Sequence, residues 1–292
     1  MKDGFLNVLK PPGMTSHDVV SFVRRAVGVK KAGHAGTLDP GAAGVLPVAV
    51  GRATRLLEYL STVDKSYRAE LRFGAATDSG DDLGNVVASR AEFVMPKDAA
   101  IAAAVRSLTG RIRQTPPLYS AVKIGGRRAC DWARANIPVT LGSREVEIYR
   151  LDVLGRGDNT LLFDVDCSKG TYIRSLCHDL GAALDIPATM SFLVRRRVGA
   201  FHLEAAHTLE ELGEMGERAV EPPEIYLDHL PRYTLPTARM VPFIRGLSTR
   251  DPHYVGAAGS LAVYGAEGFL GVGHYEAESA SIVPDKVYRA SV

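Results

Sequence analysis

Residues 33–41 read Gly-His-Ala-Gly-Thr-Leu-Asp-Pro-Gly, and an apolar run at 42–50 follows them directly. Pro40 fixes its own φ and disfavours a helical conformation at Asp39. The flanking glycines allow the backbone or a ligand to approach closely. This stretch predicts a tight loop that presents a single carboxylate at the edge of a packed core.

An ordinary turn is the alternative interpretation of the same loop. Aspartate, proline and glycine all favour turns for local reasons. On these residues alone, a structural role for Asp39 is favoured, and other parts of the chain have to decide between the two.

The composition is typical of a globular protein with a sizeable core. The 292 residues are 46% apolar and 23% charged, enough for one large domain or a large and a small one. The apolar runs are too short to span a bilayer and no signal-peptide pattern is present, so we expect no membrane association. Three cysteines cannot form a disulfide framework, which favours a reducing cytoplasm. Their spacing fits no zinc site, so we expect no metal.

Charge is distributed unevenly along the chain. Residues 106–156 contain ten basic and four acidic side chains, whereas residues 204–230 contain seven glutamates and Asp228 against Arg218 alone. A basic segment inside a nearly neutral protein is a candidate phosphate-binding surface. The alternative is a solvated charged face without a ligand.

The hydrophobic patterns predict an alternation of strands and helices. Residues 65–73 form the clearest strand, with Tyr67 on its apolar face. A helix is predicted to begin at Thr15 or Ser16 and to end before Gly28. The other predicted strands are 5–9, 145–153 and 161–167, and the other predicted helices are 54–60, 97–108 and 171–183.

The helix at 171–183 carries a cation in its first turn. Arg174 there opposes the helix dipole, so we expect a carboxylate or a phosphate to hold it. The strand-turn-helix layout before it directs Arg174 toward the sheet end where the Asp39 loop could lie.

Several segments are predicted to be irregular. The acidic loop 75–82 lacks the EF-hand pattern and is interpreted as a solvated turn. Residues 111–136 mix basic, aromatic and turn residues, as in a mobile flap that contacts nucleic acid. Residues 195–197 are read as a further basic cluster. Pro231 and Pro236 mark a boundary before a small, glycine-rich, β-barrel-like module.

Several of these stretches together resemble the bacterial tRNA pseudouridine synthase B (TruB) family. The matching pieces are spread in family order over nearly the whole chain: Lys-Pro-Pro-Gly-Met-Thr-Ser at 10–16, residues 33–40, Lys-Ser-Tyr at 65–67, residues 114–123, and Lys-Gly-Thr-Tyr-Ile-Arg-Ser-Leu at 169–176. The C-terminal module resembles a PUA RNA-binding module. Residues 41–44 and 130–132 depart from the family pattern, away from the presumed chemistry.

The resemblance implies an enzyme that isomerises uridine to pseudouridine at position 55, in the T-arm of tRNA, without a cofactor. It implies that Asp39 is the nucleophile, that Arg174 pairs with it, and that Tyr67 stacks on the base and handles a proton. It also implies that Leu193 lines the uracil pocket and that His34 helps to extrude the nucleotide.

The resemblance also implies a fold and a mode of RNA binding. The fold is α+β, with a long, mixed, mainly antiparallel sheet flanked by helices, in a catalytic domain 1–231 followed by the PUA-like module 237–292. Residues 111–140 would form a thumb that clamps the T-arm stem-loop, with Lys123, Arg127 and Arg128 on the RNA. We expect a monomer that requires no protein partner.

The chemistry favours the same residue types. Moving a base from nitrogen to carbon attachment needs a nucleophile or a stabiliser of a sugar cation, and no redox cofactor. A carboxylate that stays ionised in a dry pocket needs a cation, and a flipped base needs an apolar or aromatic wall. Whether Asp39 attacks the uracil ring or the ribose carbon, or acts as a base, stays open.

Three alternatives compete with this interpretation. A tRNA-binding chaperone would fit the composition equally well but would not require both Asp39 and Arg174. A nucleotide-phosphate loop at 33–51 lacks the Gly-Lys-Ser/Thr ending. A guide-RNA-dependent relative is disfavoured because long basic tails are absent.

Overall fold

The computed structural model describes residues 3–135, 137–256 and 258–289. Its strands are Gly4–Lys10 (β1), Ala32–His34 (β2), Ala43–Val50 (β3), Lys65–Phe73 (β4), Ala75–Thr77 (β5), Val86–Ser89 (β6), Gly110–Gln114 (β7), Lys123–Ile124 (β8), Arg127–Arg128 (β9), Arg144–Arg156 (β10), Thr160–Cys167 (β11), Ala188–Val198 (β12), Phe201–His202 (β13), Arg232–Thr234 (β14), Thr249–Arg250 (β15), Ser260–Gly265 (β16), Gly268–Glu276 (β17) and Ser281–Val287 (β18). Its α-helices are Ser16–Val27 (α1), Leu57–Leu60 (α2), Asp98–Ser107 (α3), Ala129–Arg134 (α4), Ile173–Ala183 (α5), Leu209–Met215 (α6) and Thr237–Ile244 (α7). Short 3-10 turns cover Gly51–Leu56, Leu203–Ala205, Gly216–Ala219 and Pro223–Tyr226.

One long sheet forms the centre of the molecule. Its strands follow the order β1-β3-β12-β4-β11-β10-β7, with β2 paired to β3 and β13 paired to β12. Neighbouring strands are antiparallel except β3 and β12, which run parallel. The predicted α+β fold with a mixed, mainly antiparallel sheet is therefore confirmed.

Strand β4 shows how the sequence pattern builds this sheet. Its alternate residues Tyr67, Ala69, Leu71 and Phe73 are buried, as predicted. They share one core with the inward-facing side chains of α5, which packs on the same face. Cys167, at the end of β11, pairs with Lys65, and a short turn leads from it into α5. The first turn of α5 and the start of β4 therefore lie at the same end of the layer.

Helix α1 begins and ends at the predicted residues. Thr15 caps it, with a reciprocal capping box to Asp18, and Gly28 ends it in the left-handed conformation at φ 69°. Such caps satisfy backbone groups that the helix itself leaves unpaired. They fix the start of α1, and therefore Ser16, beneath the Asp39 loop.

Strand β12 was not predicted, and it includes residues 195–197, which were predicted only as a basic cluster. They belong to this central strand, and Arg195 is only 1% exposed. Register shifts between Met190 and Phe192 and between Arg195 and Arg197 interrupt the alternation that identifies a strand. The consecutive arginines obscured the pattern of a strand that pairs with β3 on one side and with β4 on the other.

Two further predictions need corrected bounds. The predicted flap begins later than expected, because Gly110–Gln114 is β7, paired with β10 at the edge of the long sheet. We call residues 115–143, which leave the sheet between those strands, the insertion arm. The predicted helix at 54–60 is a 3-10 turn over Gly51–Leu56 followed by the single turn α2.

The C-terminal region forms a second sheet of five strands, in the order β14-β16-β17-β18-β15. The predicted small β module is present, and its PUA type stays a prediction. Ala262, Phe269 and Val272 pack into one core with Phe5 and Tyr226. The module therefore buries part of its apolar surface against the long-sheet domain. No helix in the described part of the chain is long and apolar enough to cross a membrane.

Candidate active site

A cleft of about 710 Å³ brings together distant parts of the chain. Its walls come from the Asp39 loop, the start of β4, the loop before β6, the insertion arm, the first turn of α5 and the middle of β12. All three residues predicted to act in catalysis, Asp39, Tyr67 and Arg174, line it. Tyr67 follows Asp39 by 28 residues, and Arg174 follows Tyr67 by 107. The order of strands in the sheet brings the three together.

Arg174 holds Asp39 through both ends of its guanidinium fork. Nε lies 3.0 Å from Oδ2 of Asp39, and Nη2 donates to Oδ1 at 3.3 Å. The same guanidinium donates to the carbonyl oxygens of Ser79 and Tyr119, each within 2.8 Å. The Arg174 side chain is 5% exposed and that of Asp39 is 32% exposed. Arg174 is thus fixed inside the protein, and the carboxylate it orients still reaches the cleft.

The acidic loop at 75–82 contributes to this pair, so its interpretation as a solvated turn is wrong. Oδ2 of Asp81 lies 3.9 Å from Nη1 of Arg174, and the Asp81 side chain is 16% exposed. Its position depends on β5 and on the return of the chain toward α5. No local sequence pattern distinguishes Asp81 from the exposed Asp82 beside it.

Burial raises the pKa of Asp39 above its ordinary value, and the negative charge of Asp81 acts in the same direction. The positive charge of Arg174, and then those of Lys10 and Arg195, oppose this rise. The site therefore combines a desolvated carboxylate with cations that favour its ionised form, as expected for a group that acts as a nucleophile or base.

Lys10 supports the loop from below. Its fully buried ammonium donates to the carbonyl oxygens of Pro11, Pro40 and Ala42, at 2.9, 3.2 and 2.6 Å. Burial lowers the pKa of Lys10 to about 8, while the nearby Asp39 opposes that change. Lys10 belongs to the stretch 10–16, but its role under the loop was not predicted.

Arg195 supports the preceding turn in the same way. Its buried guanidinium donates to the carbonyl oxygens of Val45, Gly36 and Thr37, at 2.8, 3.0 and 3.3 Å. On the other side of the loop, the hydroxyl of Ser16 donates to the carbonyl of Leu38 and accepts from its N–H. Three buried polar side chains therefore fix the backbone on either side of Asp39.

Tyr67 and Leu193 form apolar parts of the cleft wall. Each is 7% exposed, and they lie on the paired strands β4 and β12. Burial raises the pKa of Tyr67 to about 12, although Arg195 beside it acts in the opposite direction. The phenol is therefore protonated at neutral pH, which suits a ring that contacts a base.

The remaining predicted residues lie farther from the carboxylate. His34 ends β2, half-buried, one residue before the cleft-lining stretch, and burial is the main cause of its lowered pKa. Lys123 and Arg127 are exposed on the small hairpin β8–β9 and do not line the cleft. Arg128 lines it but makes two hydrogen bonds to Asp131. The described residues contain no group of three potential ligands placed to hold a metal ion.

Comparison with known proteins was informative over most of the chain. Residues 24–173 match the family described as TruB family pseudouridylate synthase (N terminal domain), and residues 174–238 match tRNA pseudouridylate synthase B C-terminal domain. A tRNA pseudouridine synthase B of Symbiobacterium thermophilum is 53% identical over 80% of this chain and 78% of its own length. One from Caldanaerobacter subterraneus subsp. tengcongensis is 41% identical over 98% of this chain and 99% of its own.

Solved structures show the same fold. The crystal structure of a Cbf5-Nop10-Gar1 complex contains a chain that is 28% identical, with a TM-score of 0.77, covering 99% of this chain and 85% of that one. An H/ACA RNP bound to a substrate RNA containing 2'-deoxyuridine contains one that is 26% identical, with a TM-score of 0.75, covering 98% and 85%. On the strength of these matches and of the cleft that its fold assembles, the chain belongs to the TruB family of pseudouridylate synthases.

Proposed function

We propose that this chain converts the uridine at position 55, in the T-arm of tRNA, to pseudouridine, with Asp39 as the reacting carboxylate. The chain is a pseudouridine synthase by family, and the curated relatives are named for tRNA. The two-point contact between Asp39 and Arg174 inside the cleft carries the proposal. It supplies an oriented carboxylate held beside a cation, which a binding protein would not need.

The reaction has a balanced form that needs no external electron donor or acceptor. The bond between N1 of uracil and C1′ of the ribose breaks, the base turns, and C5 bonds to C1′. The proton on C5 leaves and N1 gains one, so no electrons are exchanged with another molecule. A carboxylate can attack the ribose carbon or the ring, or remove the C5 proton, and the proposal keeps all three routes for Asp39.

The cleft suits a base removed from its RNA stack. Tyr67 offers a protonated ring and Leu193 an aliphatic surface on neighbouring strands, which supports stacking of the flipped uracil between them. His34, just before the cleft-lining loop, would occupy the space that the extruded nucleotide leaves. Arg174 would hold Asp39 ionised while the base displaces water from the cleft.

RNA would be held by surfaces on both sides of the cleft. The insertion arm, as a thumb, would contact the T-arm stem-loop through Lys123, Arg127 and Arg128, and the C-terminal module would add a PUA-type contact. The Nop10 and Gar1 proteins belong to the complex of the structural neighbour. For this chain we propose a monomer that acts without a protein partner or cofactor, in the cytoplasm, in keeping with its three free cysteines.

Replacement of Asp39 by asparagine tests this function. Asp39→Asn keeps the size and the turn but removes the charge, so tRNA binding should stay near wild type while pseudouridine formation is lost. Filter binding and pseudouridine content after long incubation should be measured on one sample. Asp82→Asn is the matched control, since Asp82 is an exposed carboxylate next to Asp81 that does not line the cleft and pairs with Arg72.

Two results would contradict the proposal. Turnover of Asp39→Asn within about tenfold of wild type would exclude a charge-dependent role, because each ~1.36 kcal/mol of lost transition-state stabilisation is tenfold in rate. Loss of both binding and turnover would make Asp39 a structural turn residue. Refolding of tRNA by a wild-type chain that forms no pseudouridine would instead favour the chaperone alternative.

A further inference from the structure

Three cations at one end of the cleft form no salt bridge with any carboxylate of the described residues. Lys65 begins β4, Arg144 begins β10, and Lys169 lies in the turn between β11 and α5. We call these three residues the cationic rim. Lys65 and Arg144 line the cleft itself, and Lys169 is exposed beside them.

Sheet pairing and the following turn place the rim in one line. Lys65 is the register partner of Cys167, the last residue of β11. The chain then turns through Lys169 to Gly170, whose carbonyl accepts a 2.5 Å hydrogen bond from Nη2 of Arg144. The charge of Lys169 is close enough to lower the pKa of Lys65. The rim therefore follows the end of the sheet from β4 to β10.

The rim also lies next to the Asp39 loop. A Cβ atom added to Gly36 would lie 3.9 Å from Cε of Lys65, in ordinary contact with its aliphatic stem. Gly36 is three residues before Asp39, and its φ is +91°. The ammonium of Lys65 thus belongs to the same wall of the cleft as the loop that carries the reacting carboxylate.

The contacts of the rim leave its charge uncompensated. Nζ of Lys65 donates to the carbonyl of Val63 at 2.8 Å. Across the described residues, no carboxylate oxygen comes within the 4.0 Å of a salt bridge to any of the three cations. Asp64 is the acidic group nearest to Lys65 in sequence, and its carboxylate accepts a hydrogen bond from Tyr149. Partly buried cations without a counter-charge are costly unless a ligand supplies one.

Arg144 shows most directly that a contact is missing. Its guanidinium lies 4.8 Å from the centre of the Tyr172 ring, which also lines the cleft. Its Nε atom is buried and has no hydrogen-bond partner in the part of the chain that the structure describes. A buried donor without a partner is uncommon in folded proteins, and a bound water or an anion at the site would satisfy it. Because Arg144 already stacks on Tyr172, the remaining donors suit an anion in the plane of the guanidinium.

We propose that the cationic rim binds the backbone phosphates that flank the target nucleotide. The inference rests on the proposed function, because it assumes that a flipped uridine occupies the cleft beside Asp39. A phosphodiester supplies the missing negative charge and accepts hydrogen bonds from ammonium and guanidinium groups. Anchoring both flanking phosphates would hold the RNA backbone at the position where a single nucleotide leaves the stack.

The test compares Lys65→Gln and Arg144→Gln, singly and together, with wild type in binding to an unmodified T-arm stem-loop. Each lost phosphate contact should lower the slope of log K against log salt by about 0.7–0.9. Arg24→Gln, on the exposed side of α1, is the matched control and should leave the slope unchanged. Lys65→Arg keeps the charge and should retain the wild-type slope.

A second arm uses RNA with neutral methylphosphonate linkages on both sides of the target uridine. With this RNA, the slope of log K against log salt for wild type should fall by the same amount as it falls for the double variant with normal RNA. The slope for the double variant should be the same with both RNAs. An unchanged slope in both single variants would overturn the proposal. It would also be overturned if the neutral linkages lowered the slope of the double variant as much as they lower that of wild type. Thermal melting of each variant verifies folding. Pseudouridine formation by wild type, measured separately, shows whether the proposed function holds independently of the rim.

Discussion

The insertion arm and the cationic rim are both basic, but among the described residues a carboxylate neutralises part of the charge of the arm and none of the charge of the rim. In the insertion arm, Arg128 makes two hydrogen bonds to the carboxylate of Asp131, while Arg127 beside it donates to the backbone carbonyl of Asp131. In the rim, Lys65 and Arg144 contact backbone carbonyl oxygens, whose partial charges leave most of the positive charge uncompensated. The number of basic residues in a segment therefore does not measure the charge that is available to RNA.

The charge of Arg174 is fully engaged by groups inside the protein, so replacing Arg174 should have the largest effect on turnover. Arg174→Met leaves Asp39 beside Asp81 without its cation. Removing one partner of a buried ion pair typically destabilises the folded protein by about 3–5 kcal/mol. We expect the turnover rate to fall by at least about a hundredfold. Arg174→Lys keeps the charge but loses the two-point contact, so its loss should be smaller. Single-turnover rates at saturating tRNA measure both variants.

The matched control for that experiment is Arg196→Met, whose side chain is 37% exposed and pairs with Asp164 outside the cleft. It should retain near-wild-type turnover. Near-wild-type rates in both Arg174 variants would show that catalysis does not need Arg174. They would also contradict the distinction between cations that act inside the protein and cations that are available to RNA.

Neutralising the two arginines of the β8–β9 hairpin tests whether the insertion arm offers less charge to RNA than the cationic rim. Arg127→Gln with Arg128→Gln removes two cations, but it also releases the charge of Asp131, which then repels RNA. We expect weaker tRNA binding with a slope that falls by about one or less, compared with about 1.4–1.8 for the Lys65 and Arg144 double variant. Salt titrations of both variants on one RNA decide the order. A larger fall for the hairpin pair would reverse the comparison.

The smallest effect should be a pH dependence that originates in Lys65. Burial lowers its pKa to about 8, and the positive charges of Arg195 and Lys169 act in the same direction, while Cys167 and Asp64 oppose it. The ammonium is therefore charged at pH 7 and loses its charge as the pH rises through about 8. We expect tRNA binding to weaken a few-fold between pH 7 and 9.

Lys65→Arg should flatten that profile, because a guanidinium stays charged throughout. Lys10 titrates in the same range, with a pKa of about 8, but it lies beneath the loop and is intact in this variant. A profile that is identical in wild type and Lys65→Arg would assign the pH dependence to another group.

The sequence predicts most of the fold where local patterns are strong. The alternation in β4 identifies both the strand and its buried face, and the caps of α1 fix that helix at both ends. Strand β12 was missed because two register shifts and consecutive arginines obscure its period. In this case the surrounding strands, rather than local preference, determine the conformation.

The candidate site divides in the same way. Residue chemistry and the family resemblance identified Asp39, Tyr67 and Arg174, and the fold brings them into one cleft. Lys10, Arg195 and Asp81 were missed as parts of the site, because their roles arise from contacts with residues far away in sequence. The pairing of Arg128 with Asp131 depends on a helical turn that the composition of the insertion did not reveal.

The most direct test of the whole account is to map pseudouridine, by chemical modification and primer extension, in an unmodified tRNA transcript treated with the wild-type chain. We expect one pseudouridine, at position 55, and none after treatment with Asp39→Asn. No pseudouridine, a site elsewhere in the tRNA, or conversion by Asp39→Asn at a rate near wild type would contradict it.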